Sequence, residues 1–195
     1  MKNYILTIAL LLATTFVIIG KTNFTLVKSS VKIEGTSNVH DWVSTAQTVR
    51  VTGKLNVQNN ELLGINNLKV TIPVKGIKST KGSIMDGKTW DALKYKKHPN
   101  IYYTLSKVNS IKKSGESYIL SVSGKLSVAG VTKSITTKVV AKPLGGNQYQ
   151  FVGSEDLKMT TYGIDPPTAM FGAMTTGDDI KIKFNITLKE SSPSS

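Results

Sequence analysis

The residue types best suited to chemistry are few and scattered. His40-Asp41-Trp42 sets a histidine beside a carboxylate, the pairing that acid/base catalysis or a metal site would use. Adjacent residues on a strand point to opposite faces, however, which separates these two side chains. The other histidine, His98, precedes Pro99. A weak metal or enzymatic site around His40 and His98 therefore requires the fold to gather both with Asp41. The competing expectation is a histidine satisfied by backbone groups at a strand end, with Trp42 packed nearby. Glu155-Asp156 and Asp178-Asp179 are adjacent acidic pairs in loops or at strand ends. Such pairs solvate turns more readily than they divide the roles of acid and base. The chain has no cysteine, which excludes disulfides, thiolate metal ligands and cysteine nucleophiles. It carries no Gly-x-Ser-x-Gly, His-Glu-x-x-His, phosphate-loop or dinucleotide fingerprint. No catalytic residue, metal ligand or cofactor is therefore expected.

Charge is the other feature that bears on partners. The 195 residues include 25 Lys and Arg against 12 Asp and Glu, a formal charge of +13. A nucleic-acid surface would interleave basic residues with exposed aromatics. Aromatics make up only 7% of the chain, and most occupy apolar positions. Lys54, Lys69, Lys75, Lys125, Lys181 and Lys183 instead alternate with apolar neighbours. That pattern predicts a lysine coat on outward strand faces, with no nucleic-acid partner. At 39% hydrophobic, the composition is too apolar for a disordered chain and too mixed for a polytopic membrane protein.

The elements that would position these residues are strands. Residues 1–20 are set apart first, as an export signal with Lys2 and an uncharged apolar run over 4–19. A spanning helix needs about 20 apolar residues and a signal fewer, so an uncleaved anchor is the alternative. Beyond it, Val49, Val51, Leu55 and Val57 alternate with polar residues. So do Leu68, Val70, Ile72 and Val74. Tyr118, Leu120, Val122, Leu126 and Val128 form a third set, and Ile180, Ile182, Phe184, Ile186 and Leu188 a fourth. Period-2 patterning with one wet face belongs to antiparallel sheet. Weaker candidates lie at 24–35, broken near Lys28-Ser29-Ser30, and at 101–108, 134–142 and 149–159. The total is about eight strands. Residues 83–97, with Met85, Trp90 and Leu93, suggest a short helix. Residues 162–177 read as a long loop and 191–195 as a disordered tail. The expectation is a single all-β domain over 21–190. Such strands bury their apolar faces together in a sandwich or a closed barrel, and eight suffice to enclose one small ligand.

Four blocks of residues carry a resemblance. They are Ile33-Glu34-Gly35-Thr36-Ser37-Asn38-Val39-His40-Asp41-Trp42; Val70-Thr71-Ile72-Pro73-Val74 running through Met85-Asp86 to His98-Pro99-Asn100-Ile101; Val122-Ser123-Gly124-Lys125-Leu126 through Lys133; and Leu157-Lys158-Met159 with Tyr162-Gly163-Ile164 and Gly177-Asp178-Asp179-Ile180. In this order and spacing the chain resembles the YceI-like family of secreted bacterial proteins. The resemblance implies an eight-stranded antiparallel, lipocalin-like barrel with a short helix between strands. It also implies an interior that binds a polyisoprenoid or other amphiphilic lipid, and no catalytic constellation. Leu68, Val70, Ile72, Tyr118, Leu120, Val122, Phe151, Ile182, Phe184 and Ile186 are the expected tunnel lining. Trp90 and Leu93 on the helix, and Met170 and Phe171 in the loop, are the expected lids.

The function expected is an exported, non-catalytic lipid-binding protein, periplasmic or secreted. Its rivals are the His40/His98 site and a surface-interaction protein docking on anionic membrane or polysaccharide. Peripheral membrane contact and a homodimer complete the partners considered.

Overall fold

The computed structural model describes residues 21–191. The expected export signal and residues 192–195 lie outside the described residues. The elements in order are β1 (Lys21–Ser37), β2 (Trp42–Ala46), β3 (Arg50–Gln58), β4 (Glu61–Pro73), β5 (Ile77–Ser79), α1 (Ser83–Ala92), β6 (Asn100–Ser114), β7 (Ser117–Val128), β8 (Val131–Gly145), β9 (Gln148–Lys158), β10 (Thr168–Ala169) and β11 (Met174–Glu190).

Eight long strands pair antiparallel in the order β11-β9-β8-β7-β6-β4-β3-β1, and β1 pairs back onto β11. The sheet thus closes into an eight-stranded barrel and leaves those strands without a free edge. Short β2 and β5 extend the sheet from β1, and β10 pairs with β11. Tight turns make the closure local. Asn59 and Asn60 between β3 and β4 both take positive φ, 50° and 62°, the conformation of a primed hairpin turn.

β7 is the cleanest strand, with Tyr118, Leu120, Val122, Leu126 and Val128 all buried and their neighbours wetter. Two strands depart from simple alternation. β1 is continuous, and its apparent break near Lys28 is a bulge against β11 between Leu26 and Lys28. The bulge ejects Val27, which is exposed, and moves the inward set from Phe24 and Leu26 to Val31 and Ile33. β4 starts at Glu61, before the alternation at Leu68. Its inward residues change parity twice, from Leu62 to Ile65 across the register shift at Asn56/Val57, and from Ile65 to Leu68 at Asn67, which sits at φ 53° opposite a second register shift in β3. A period-2 pattern with a bulge inside it looks like two short segments, so the strand's first half was hidden.

One end of the barrel is packed shut. Phe24, Leu55, Leu62, Tyr118, Tyr149 and Leu188 belong to one buried cluster there, and Tyr149 Oη donates to the Asn60 carbonyl at 3.3 Å. The other end is roofed by α1 and by residues 159–174. The helix ends at Ala92 rather than running to Lys97, because Lys94 takes the left-handed conformation (φ 55°). Lys94 Nζ then donates to the Gly163 carbonyl at 2.8 Å, joining the two parts of the roof. Residues 162–177 are partly structured, holding β10 and the start of β11.

The helix is anchored by a buried acid. Asp86 is 5% exposed, accepts the Ser79 N–H at 2.7 Å and pairs with Lys78 Nζ at 3.1 Å. The Ser79 hydrogen bond holds its carboxyl below the ordinary range. Burial opposes that effect, and Lys78 reinforces it. A depressed folded-state pKa gives stability that is present above the unfolded value of about 3.9 and lost as pH falls through the folded value. Asp86→Ala should cost about 1.5–3 kcal/mol, the range for a hydrogen bond to a charged group. It should also flatten the acid limb of stability against pH. Urea unfolding from pH 7 down to 3 checks both, and an unchanged acid limb would refute the role given to this carboxylate.

Candidate functional site

Between the packed floor and the roof lies a cavity of about 420 Å³. Its wall is overwhelmingly aliphatic and aromatic, and all eight barrel strands contribute. Leu68, Val70, Ile72, Leu93, Leu120, Val122, Phe151, Ile182, Phe184 and Ile186 all face it. Inward glycines let rings lie flat against the wall. A Cβ on Gly153 would strike the Phe184 ring opposite it, and one on Gly124 would strike Tyr103. The rings therefore fill space that the backbone yields.

Other expected lining residues lie elsewhere. Tyr118 sits in the packed floor, at the start of β7 and below the cavity. Trp90 occupies the opposite face of α1 from Met85, Thr89 and Ala92, which line the mouth at helical spacing. Its indole N–H donates to the Ile77 carbonyl at 2.9 Å, and Lys78 Nζ stands 4.4 Å from the ring centroid. Trp90 thus fastens the helix to β5 instead of covering the cavity. Phe171, at φ 55° and 113% exposed, projects into solvent. The side chain of Met170 lies outside the described residues.

The polar residues of the cavity were not anticipated. Glu155 points inward from the middle of β9 and is half-buried. Thr137 Oγ1 on β8 donates to its Oε2 at 2.6 Å. Tyr103 on β6 and Tyr162, which follows β9, line the same space. Both hydroxyls are buried without a hydrogen-bond partner among the described residues. Burial raises the pKa of each phenol, and the nearby Glu155 charge adds to the effect, so both remain protonated donors. An unsatisfied buried hydroxyl costs about 1–3 kcal/mol. A signal for Glu155 existed: it shares the odd parity of Phe151 and Leu157. Its neighbour Asp156 points outward and pairs with Lys181 at 2.9 Å. Glu155-Asp156 is therefore a mid-strand pair split between the two faces, not a solvated turn. Asp178 does secure a turn. Its carboxylate accepts the Thr160 N–H and hydroxyl at 2.8 and 2.7 Å, which lowers its pKa.

The histidine cluster has a structural arrangement. Ser37 Oγ accepts from the Val39 and His40 N–H groups and donates to the His40 carbonyl at 2.7 Å. Trp42 covers Gly35, and its indole N–H donates to the Thr36 carbonyl at 3.0 Å. His98 stands against Gly130. Among the described residues, no three His, Cys, Asp or Glu side chains are grouped to hold a metal ion. Outside the barrel, Lys54, Lys69, Lys75, Lys125 and Lys183 are exposed and Lys181 is half-buried, placing positive charge on the outer surface.

Solved structures share this architecture. BcnA of Burkholderia cenocepacia is 18% identical with TM-score 0.62, over 82% of this chain and 95% of its own. A polyisoprenoid binding domain from Saccharophagus degradans, implicated in plant cell wall breakdown, is 13% identical with TM-score 0.65, over 86% and 98%. The Campylobacter jejuni YCEI protein is 17% identical with TM-score 0.56, over 98% and 100%. At these identities the likeness speaks for the fold. No curated protein matches the chain. The model of the YceI-like domain matches residues 23–188, nearly the whole closed barrel with its roof, and the chain therefore belongs to the YceI-like family.

Proposed function

We propose that this chain is an exported, non-catalytic binding protein that holds a polyisoprenoid or similar amphiphilic lipid inside the barrel. The carrying observation is the cavity of about 420 Å³, walled by apolar side chains from every barrel strand. An apolar chain moved there leaves water at about 25 cal/mol per Å² buried. Because a hydrocarbon tail offers no hydrogen bonds, shape and area govern its affinity, and selectivity among tails is loose. The fold shared with the S. degradans polyisoprenoid binding domain supports the reading. The apolar run over 4–19 supports export to the periplasm or beyond. Solvent extraction of purified protein, followed by mass spectrometry, should yield a long-chain lipid near one per chain. Protein that is repeatedly lipid-free and takes up no polyprenyl compound would end this reading.

Docking at an anionic membrane serves the same function and has its own observation. Val39, Ile84 and Phe171 are 57%, 78% and 113% exposed, on three segments that frame the mouth. Lys81 and Lys88 line that mouth, and Lys88 Nζ donates to the Thr168 carbonyl at 2.9 Å. Apolar side chains ringed by cations suit an interface with anionic lipid. Ile84→Glu with Phe171→Glu should slow lipid uptake from anionic vesicles at least about a hundredfold, since each apolar side chain contributes about 1.5–3 kcal/mol on burial. Binding of detergent-dispersed lipid should be unchanged. Equal uptake by both proteins would remove the rim from the account.

A further inference from the structure

The apolar wall explains a tail, but it leaves Glu155, Thr137, Tyr103 and Tyr162 without a purpose. These four come from β9, β8, β6 and the turn after β9, and all line one cavity. Thr137 already donates to the Glu155 carboxylate, which keeps capacity to accept more. The Tyr103 and Tyr162 hydroxyls are the reverse case, donors with no acceptor among the described residues. We propose that this cluster is an internal head-group site for the neutral hydroxyl end of an isoprenoid alcohol or phenol, held beneath the roof. The proposal rests on the lipid-binding reading and adds to it where the ligand's polar end sits.

The choice of a hydroxyl follows from matching donors to acceptors. A hydroxyl donates one hydrogen bond and accepts two. It can donate to Glu155 while accepting from the phenols. A carbonyl accepts but leaves Glu155 unserved. An ammonium donates but leaves the phenols unserved. A phosphate would bring negative charge against Glu155 in a medium where like charges repel strongly. Tyr103 and Tyr162 line the cavity while their hydroxyls are buried in its wall, so each ring must turn for its hydroxyl to meet the ligand.

The test compares geranylgeraniol, its methyl ether and the matching hydrocarbon, each titrated into full-length wild-type protein. The ether keeps an acceptor but loses the proton destined for Glu155, so the alcohol should bind about tenfold tighter than the ether and tighter still than the hydrocarbon. Glu155→Gln should shrink the preference for alcohol over ether, because an amide oxygen accepts less strongly than a carboxylate. Tyr103→Phe with Tyr162→Phe should bring the ether down to the level of the hydrocarbon, while the alcohol stays above it because Glu155 still accepts its proton. In all these variants the hydrocarbon's affinity should stay within about twofold of wild type, which shows the barrel intact. The ligand series on wild-type protein decides the matter even if a variant fails to fold. Equal affinity for all three compounds would overturn the internal site and leave the lipid reading standing. Failure of all three to bind would overturn both.

Discussion

Leu55→Ala should destabilise the barrel by about 2–5 kcal/mol, toward the upper end of that range. Leu55 is completely buried and packs in the floor with Phe24, Leu62 and Leu188. Those neighbours are held on β1, β4 and β11, which are hydrogen-bonded around the closed sheet, so they have little freedom to collapse into the void. The cost includes the lost transfer energy and an unrelieved cavity term. A domain of ordinary stability has only about 5–15 kcal/mol to lose. The contrast with Val122→Ala is the informative part. Val122 already borders open space, so trimming it forfeits fewer contacts and extends an existing cavity instead of creating a new one. Urea denaturation of both variants should place the Leu55 midpoint well below the Val122 midpoint. Equal losses would mean that the floor is not packed shut.

Much of this architecture was legible because a closed barrel imposes one rule on every strand. The alternation in β7 and β11 translates directly into the faces that line the cavity. The apolar sets around Leu68, Leu120 and Ile182 therefore met in space as parity required. What stayed hidden depended on local backbone or on tertiary neighbours. Bulges at Val27 and Asn67 exchange the two faces partway along a strand, so β1 and β4 each resembled a broken or shortened element. Parity carried Glu155 inward, yet the presence of a second acid beside it suggested a turn. Trp90 and Leu93 looked equivalent on a short helix, but the helix stops at Ala92, leaving Leu93 on the cavity, while the strand addition by β5 gave Trp90 its partner. Phe171 looked like a lid because it stands beside Met170 in a long loop before the last strand. The left-handed backbone at that position turns it outward.

Filling the cavity should abolish lipid binding without unfolding the protein. Val122 on β7 and Ile182 on β11 both face the cavity. Val122→Trp with Ile182→Trp places two indoles in space that the tail would occupy. In a packed core such additions cost about 1–3 kcal/mol each through displaced neighbours and strained rotamers. Here open volume receives them, so the stability cost should fall at or below the low end of that range. Affinity for geranylgeraniol should fall at least a hundredfold, because burying an apolar tail is the main source of its binding free energy. The two effects are opposite in kind to those of Leu55→Ala, which harms stability most and leaves the binding wall in place.

The most direct measurement is native mass spectrometry of wild-type and Val122→Trp/Ile182→Trp protein after incubation with geranylgeraniol. A single-lipid adduct should form on the wild type and none on the filled barrel. Circular dichroism should show the same strand content in both. The same adduct on both proteins would place the lipid outside the barrel and contradict the claim that its interior is the binding site.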